Sequence, residues 1–162
     1  MTTTAKTQSM IGKEVVVSQL IDAPRERVFN AWIDPAKLAQ WWGPHGFTNT
    51  RCEIEPRPGG RVYIEMIRDA DGKMFPLDGE VEAVEVPSRL VFRARGYNPA
   101  NDSTTIEDRV TATFVEKEGK TLVTVHLYVL EVAPAFMEAA ERMSVGWSQS
   151  LQKLGSSTAN KE

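Results

Sequence analysis

Apolar residues alternate with polar ones along most of this chain and switch to helical spacing in two regions. The run Glu14-Val-Val-Val-Ser-Gln-Leu-Ile21 is β-branched and bounded by charge, which predicts a strand. Behind Pro24, Val28, Phe29 and Trp32 fall at helical spacing, so a short helix is expected over residues 25–32, capped by Asp22 or Ala23. Asp34-Pro-Ala-Lys-Leu38 repeats the cap-then-proline signature and predicts a second short helix, which Trp41-Trp42-Gly43-Pro44 ends.

Six strand-like stretches follow. Phe47 to Glu55 ends at Pro56-Arg-Pro-Gly-Gly60, and Arg61 to Arg68 sets Val62, Ile64 and Met66 on one face. Phe75 to Val86 contains Gly79, a mark of a bulge or a close approach. Arg89 to Tyr97 alternates Leu90, Phe92 and Ala94, and Thr105 to Glu116 sets Ile106, Val110, Ala112 and Phe114 on one side. Lys117-Glu-Gly-Lys120 reads as a hairpin turn. Thr121 to Leu130 then sets Val123, Val125, Leu127 and Val129 opposite Thr124, His126 and Tyr128.

From Pro134 onward, Phe136, Ala140, Met143, Trp147, Leu151 and Leu154 recur at steps of three and four, the stripe of one long amphipathic helix. Gly155 is expected to stop it at C′. Gly146 inside it costs ~1 kcal/mol relative to alanine. That cost points to a packing reason, either close approach to the sheet or room for Trp147. The element order predicts an α+β helix-grip arrangement: a curved antiparallel sheet wrapped around a long C-terminal helix, with two short helices after the first strand. A bent sheet and a straight helix do not touch along their full length, so an apolar cavity is expected between them, a ligand site by default.

Composition narrows the class. The chain has 162 residues, 41% of them apolar and 25% charged, with a net charge of −3, which suits one globular domain. Residues 13–154 are expected to form it, between flexible tails over 1–12 and 155–162. The single cysteine, Cys52, excludes a disulfide framework within the monomer. The charge balance argues against nucleic acid as a partner. No apolar run reaches the ~20 residues of a membrane span, and the opening residues lack a secretory core, so a cytoplasmic protein is expected.

Six local motifs occur in one order: Asp22-Ala-Pro-Arg-Glu-Arg-Val-Phe-Asn-Ala-Trp32, Trp41-Trp42-Gly43-Pro44, Arg57-Pro58-Gly59-Gly60, Asp71-Gly72, Pro87-Ser88-Arg89-Leu90-Val91-Phe92 and Gly146-Trp147. With the element order, these resemble the START-like (SRPBCC, birch-pollen-allergen-like) superfamily and, within it, the homologues of the activator of heat-shock protein 90 ATPase. The resemblance spans roughly residues 14–154. It implies the helix-grip fold. Related START-like families bind lipids, sterols, hormones or polyketides, and a minority are cyclases or resistance proteins. Eukaryotic relatives carry a comparable domain beside a chaperone-stimulating one, for which this length leaves no room.

Candidate chemistry is sparse. Trp41 and Trp42 offer two readings, a pocket lid with indole donors or a plug locking the short helices to the sheet, and buried tryptophan is most often packing. Arg57-Pro-Gly-Gly60 reads as a tight turn and not an anion cradle, since no helix follows it. The only histidines are His45 and His126, and no pair of His or Cys shows metal-ligand spacing. His126 is expected at the surface, because Val123, Val125 and Leu127 make the better inward face. His45, in a loop at the expected entrance, is the better candidate for ligand contact. Most Asp and Glu residues are expected to alternate outward. No nucleophile elbow, Ser/His/Asp arrangement or dinucleotide fingerprint is present.

The expected function is binding of a small hydrophobic molecule without a cofactor. The wall would comprise Trp41, Trp42, Phe47, Met66, Phe75, Phe92, Phe114, Met143 and Trp147, with His45 at the mouth. Two rivals stand beside it. A cyclase- or hydrolase-type enzyme would need inward polar groups, drawn from His45, Tyr63, Glu65 and Arg93. A chaperone-interaction module would need an exposed apolar patch. Exposed strand edges also permit a homodimer.

Overall fold

The computed structural model describes residues 10–159. Seven strands form one antiparallel sheet: β1 (Glu14–Ile21), β2 (Phe47–Ile54), β3 (Arg61–Arg68), β4 (Met74–Glu85), β5 (Arg89–Tyr97), β6 (Thr104–Lys117) and β7 (Lys120–Val132). Their order across the sheet is β1-β7-β6-β5-β4-β3-β2. β2 to β7 run as a meander of short turns, and β1 pairs with β7 instead of β2. Between β1 and β2 the chain leaves the sheet to form α1 (Arg25–Ile33) and α2 (Pro35–Trp41). The sheet curls into a half-barrel, and the C-terminal helix α4 (Met143–Thr158) lies in it, as the α+β helix-grip reading predicts.

Strand register puts the expected apolar set inward. Val123, Val125, Leu127 and Val129 are fully buried, while His126 on the opposite face meets Glu14 at the surface, Nε2 to Oε1 2.8 Å. Asp34 caps α2 as its sequence predicts, accepting from the Ala36 and Lys37 amides at 3.0 and 3.3 Å with Pro35 in the first turn. Gly79 is a close approach: a Cβ there would lie 1.8 Å from the Arg93 carbonyl oxygen on β5. Arg57-Pro-Gly-Gly60 is a turn closed by Gly60 N–H donating to Arg57 O at 2.8 Å.

Four local expectations are corrected. Pro24 itself, not Asp22 or Ala23, is the N-cap of α1, without a side-chain cap bond. The stretch after Pro134 is not one helix: a 3-10 turn (Pro134–Phe136) and α3 (Met137–Glu141) precede α4, with Arg142 at φ −108° and ψ 14° breaking the run. Gly155 does not stop α4, which continues to Thr158, where the Arg27 guanidinium donates to the Thr158 carbonyl at 3.1 Å. Gly146 makes no close approach to the sheet, since a Cβ there would meet only the Pro44 side chain at 3.9 Å. The expected N-terminal tail falls mostly outside the described residues. Met10 is buried, and the Gly12 amide donates to Val129 O at 2.8 Å.

Candidate functional site

The inner face of the half-barrel has two unlike ends. At the end where α1 and α2 cross it, aromatic rings fill the gap between sheet and helix. Trp32 from α1 is the centre: its ring lies 4.6 Å from Trp41, 5.7 Å from Phe114 and 5.9 Å from Trp147, the last pair nearly parallel at 9°. Trp42 bridges Phe92 on β5 and Trp147 on α4 at 6.1 and 5.1 Å. Such offset and edge contacts are the favourable geometries for aromatic pairs.

Local chemistry explains why this plug is fixed. The Ala31 carbonyl would accept in a continued helix from residue 35, which is Pro35 and has no amide hydrogen. The Trp41 indole supplies the missing donor, Nε1 to Ala31 O 2.9 Å, deep in the core. Asn49 on β2 then ties α2 to the sheet edge, its Nδ2 donating to Ala39 O and Trp42 O at 3.1 and 2.9 Å.

The other end is open. The C-terminal half of α4 carries the buried Leu151 and Leu154, and the helix lies chiefly against β1, α1 and α2. Its N-terminal half holds Met143 and Trp147 half-buried and Val145 exposed. On the sheet side, Met66, Leu77, Gly79 and Gly96 point to the same inner face yet stay partly exposed. Of the row that crosses the strands here, only Gly79 lacks a side chain and stays partly exposed, while Val62, Ala94, Asp108 and Val129 are buried. Across the strands the register reads Val62, Gly79, Ala94, Asp108, Val129.

Asp108 is the exception to the outward alternation of acids. It shares a face with Val110, Ala112 and Phe114 and is only 8% exposed. No described residue donates a hydrogen bond to it. Burial, reinforced by the nearby Glu107 charge, pushes its carboxyl up to about 7. Beside it lies a small satellite cluster in which Met10, Val129, Val132 and Ala140 pack with Ile106, Met137 and Met143.

Nine of the ten side chains singled out from sequence therefore separate into three places, and His45 lies in a fourth. Trp41, Trp42, Phe92 and Phe114 are buried in the aromatic plug. The hollow expected along the whole helix is occupied there, so the plug alternative describes the tryptophan pair. Met66, Met143 and Trp147 border the open end, partly exposed while packing on the core. Phe47 and Phe75 meet each other edge to face at 5.8 Å where β2, β3 and β4 end, with Arg68 and Lys73 over the Phe75 ring. His45 joins none of them. It is exposed, its amide donates to Gln149 Oε1 at 3.0 Å, and it lines a shallow polar groove of about 510 Å³ with Gln40, Gln152 and Lys153. Desolvation lowers the Lys153 pKa, and its ammonium donates to Gly43 O at 3.0 Å.

Three polar residues weighed for catalysis face away from the interior. Tyr63 and Glu65 alternate with the inward Val62 and Ile64, and Arg93 alternates with the inward Phe92 and Ala94. Tyr63 donates to Glu65 Oε1 at 2.7 Å between the guanidiniums of Arg51 and Arg61. Arg93 pairs with Glu107 at 3.2 Å. Among the described residues, no three His, Cys, Asp or Glu side chains converge as a metal site, and no helix is long and apolar enough to cross a membrane. Burial raises the Cys52 thiol to about 11, so it is protonated at neutral pH.

Comparison with known proteins agrees with this architecture. The model of the family "Activator of Hsp90 ATPase homolog 1-like protein" matches residues 22–158. Among solved structures, a protein of Arthrobacter aurescens superposes with a TM-score of 0.79 at 19% identity, covering 91% of this chain and 86% of that one. A Chromobacterium violaceum protein gives 0.75 at 22% identity, covering 91% and 98%. The AHSA1 protein from Silicibacter pomeroyi gives 0.71 at 26% identity, covering 89% and 96%. A search of the curated proteins finds no match.

Proposed function

The chain belongs to the activator of Hsp90 ATPase homolog 1-like family, and we propose that this member binds a small hydrophobic molecule at the open end of its half-barrel, between the sheet and the N-terminal half of α4. One observation carries the reading. Inward residues of β3, β4 and β5 that should be core, Met66, Leu77, Gly79 and Gly96, remain partly exposed, while their counterparts at the plugged end are sealed. Methionines 66, 137 and 143 at the rim adapt to varied shapes. Burying ~200 Å² of apolar ligand surface gains about 5 kcal/mol before association costs, enough for a modest affinity. Trp147 borders the cleft and reports on it. Titration with decan-1-ol is expected to change tryptophan emission saturably, and Trp147→Phe to remove most of that change. No saturable change in the folded parent protein would overturn the reading.

A second reading, a protein-interaction module, is favoured by one feature of the outer face. Leu20, Leu122 and Val115 align across β1, β7 and β6, with Leu20 and Val115 49% and 48% exposed. Retention of a heat-shock protein 90-class chaperone by the immobilised domain, lost in Leu20→Asp, is the expected result. No retention by the parent domain rejects it.

A further inference from the structure

We infer that Asp108 is the polar anchor of the cleft and that the ligand it holds joins an apolar body to a protonated amine. This rests on the cleft reading above and names the ligand class. The placement is set by register. Asp108 stands between Val129 on β7 and Ala94 on β5, with Gly79 next beyond Ala94. A Cβ at Gly79 would strike the β5 backbone, so no side chain can occupy that position. The carboxyl thus adjoins the small Ala94 and, one strand further, the partly exposed Gly79, on the side of the inner face where Leu77 and Gly96 are also partly exposed.

A buried carboxyl without a donor is costly, and native proteins pair such groups. Four acids outside the interior each take a guanidinium: Asp78 and Asp102 take Arg95, Glu82 takes Arg109, and Glu107 takes Arg93. Asp108 receives no hydrogen bond or ion pair from any described residue. Glu107, next in the chain, adds negative potential at the same point. A cationic donor from outside the chain meets both the hydrogen-bond deficit and the sign of that potential. A carboxylate ligand meets neither. On binding, the ammonium donates to the Asp108 carboxylate, and any proton held by Asp108 leaves to solvent.

The test compares three probes of equal chain length at pH 8, decylamine, decan-1-ol and decanoate, each below its micellar concentration, by calorimetry or tryptophan emission. Decylamine is expected to bind at least tenfold more tightly than decan-1-ol, with decanoate weakest. Asp108→Asn, its fold checked by circular dichroism, is expected to bring amine and alcohol within about twofold. In the parent protein, the side-chain carboxyl carbon resonance of Asp108 is expected to shift on adding decylamine. If the alcohol binds and the amine is no tighter, or the amine preference survives in Asp108→Asn, the anchor is wrong and the cleft stands. If neither alcohol nor amine binds, the cleft fails and the anchor with it.

Discussion

The Trp41 indole N–H donates to the Ala31 carbonyl at 2.9 Å and so satisfies the acceptor that Pro35 leaves open at the end of α1. The neighbouring Trp32, equally buried, has no acceptor for its Nε1 among the described residues. The two rings lose similar apolar area on replacement by phenylalanine, so the hydrogen bond separates them. Trp41→Phe strands a buried carbonyl, whereas Trp32→Phe removes an unpaired donor. Trp41→Phe is expected to destabilise by about 1–2 kcal/mol more than Trp32→Phe, read from urea unfolding midpoints at equal m-values.

Two mid-element glycines predict opposite signs. At Gly146 in α4 the nearest obstacle to a methyl is the Pro44 side chain at 3.9 Å. Gly146→Ala is therefore expected to stabilise by about 0.4–1 kcal/mol through the unfolded chain's lost freedom. At Gly79 the methyl would fall 1.8 Å from a backbone oxygen. Gly79→Ala is expected to cost about 1–3 kcal/mol or to part β4 from β5. Thermal unfolding of both variants checks the contrast, and a loss of stability in Gly146→Ala would show a constraint that the packing does not.

The β6–β7 hairpin turns on two residues, Glu118 at φ 54° and Gly119 at φ 82°, between the paired Lys117 and Lys120. Both angles are left-handed, as a type I′ turn requires. Glycine is at ease there, but glutamate is strained by its Cβ. Glu118→Asn is expected to stabilise the hairpin by about 0.5–1 kcal/mol, since asparagine tolerates this region, read as a raised thermal unfolding midpoint with decan-1-ol binding unchanged. 

How much was legible beforehand depends on how local the cause is. Strand limits such as Arg61–Arg68 and Arg89–Tyr97 follow from two-residue alternation, and the Asp34 cap follows from chemistry within four residues. The break at Arg142 has no such mark, because neither glycine nor proline stands there and the stripe Ala140, Met143, Trp147, Leu151 runs on in register across it. The aromatic plug depends on three elements meeting, so sequence suggests its members but not that they fill the hollow; Trp32, its centre, reads simply as one helical face. Asp108 was readable in part. Alternation puts it beside Ile106 and Val110, yet an acid at such a position reads as solvent-facing until the register places both neighbouring strands around it.

That buried acid makes stability depend on pH with a definite sign. Its carboxyl is raised in the folded state to about 7, from an ordinary value near 4 in the unfolded chain. Between those values the folded protein holds the proton and the unfolded chain does not. This group's contribution is then fully present below pH ~4, falls as pH rises towards 7, and levels off above, a loss on the order of a few kcal/mol. Asp71, held low at about 2 by Arg68, acts oppositely and only in stronger acid. Subtracting one variant isolates the effect: Asp108→Asn cannot ionise. Relative to the parent, it is expected to gain stability steadily from pH 4 to 7 and to be the more stable protein at pH 8. Urea unfolding at unit steps of pH measures the difference, and a flat difference across that range would mean that the Asp108 carboxylate already has a partner in the folded chain.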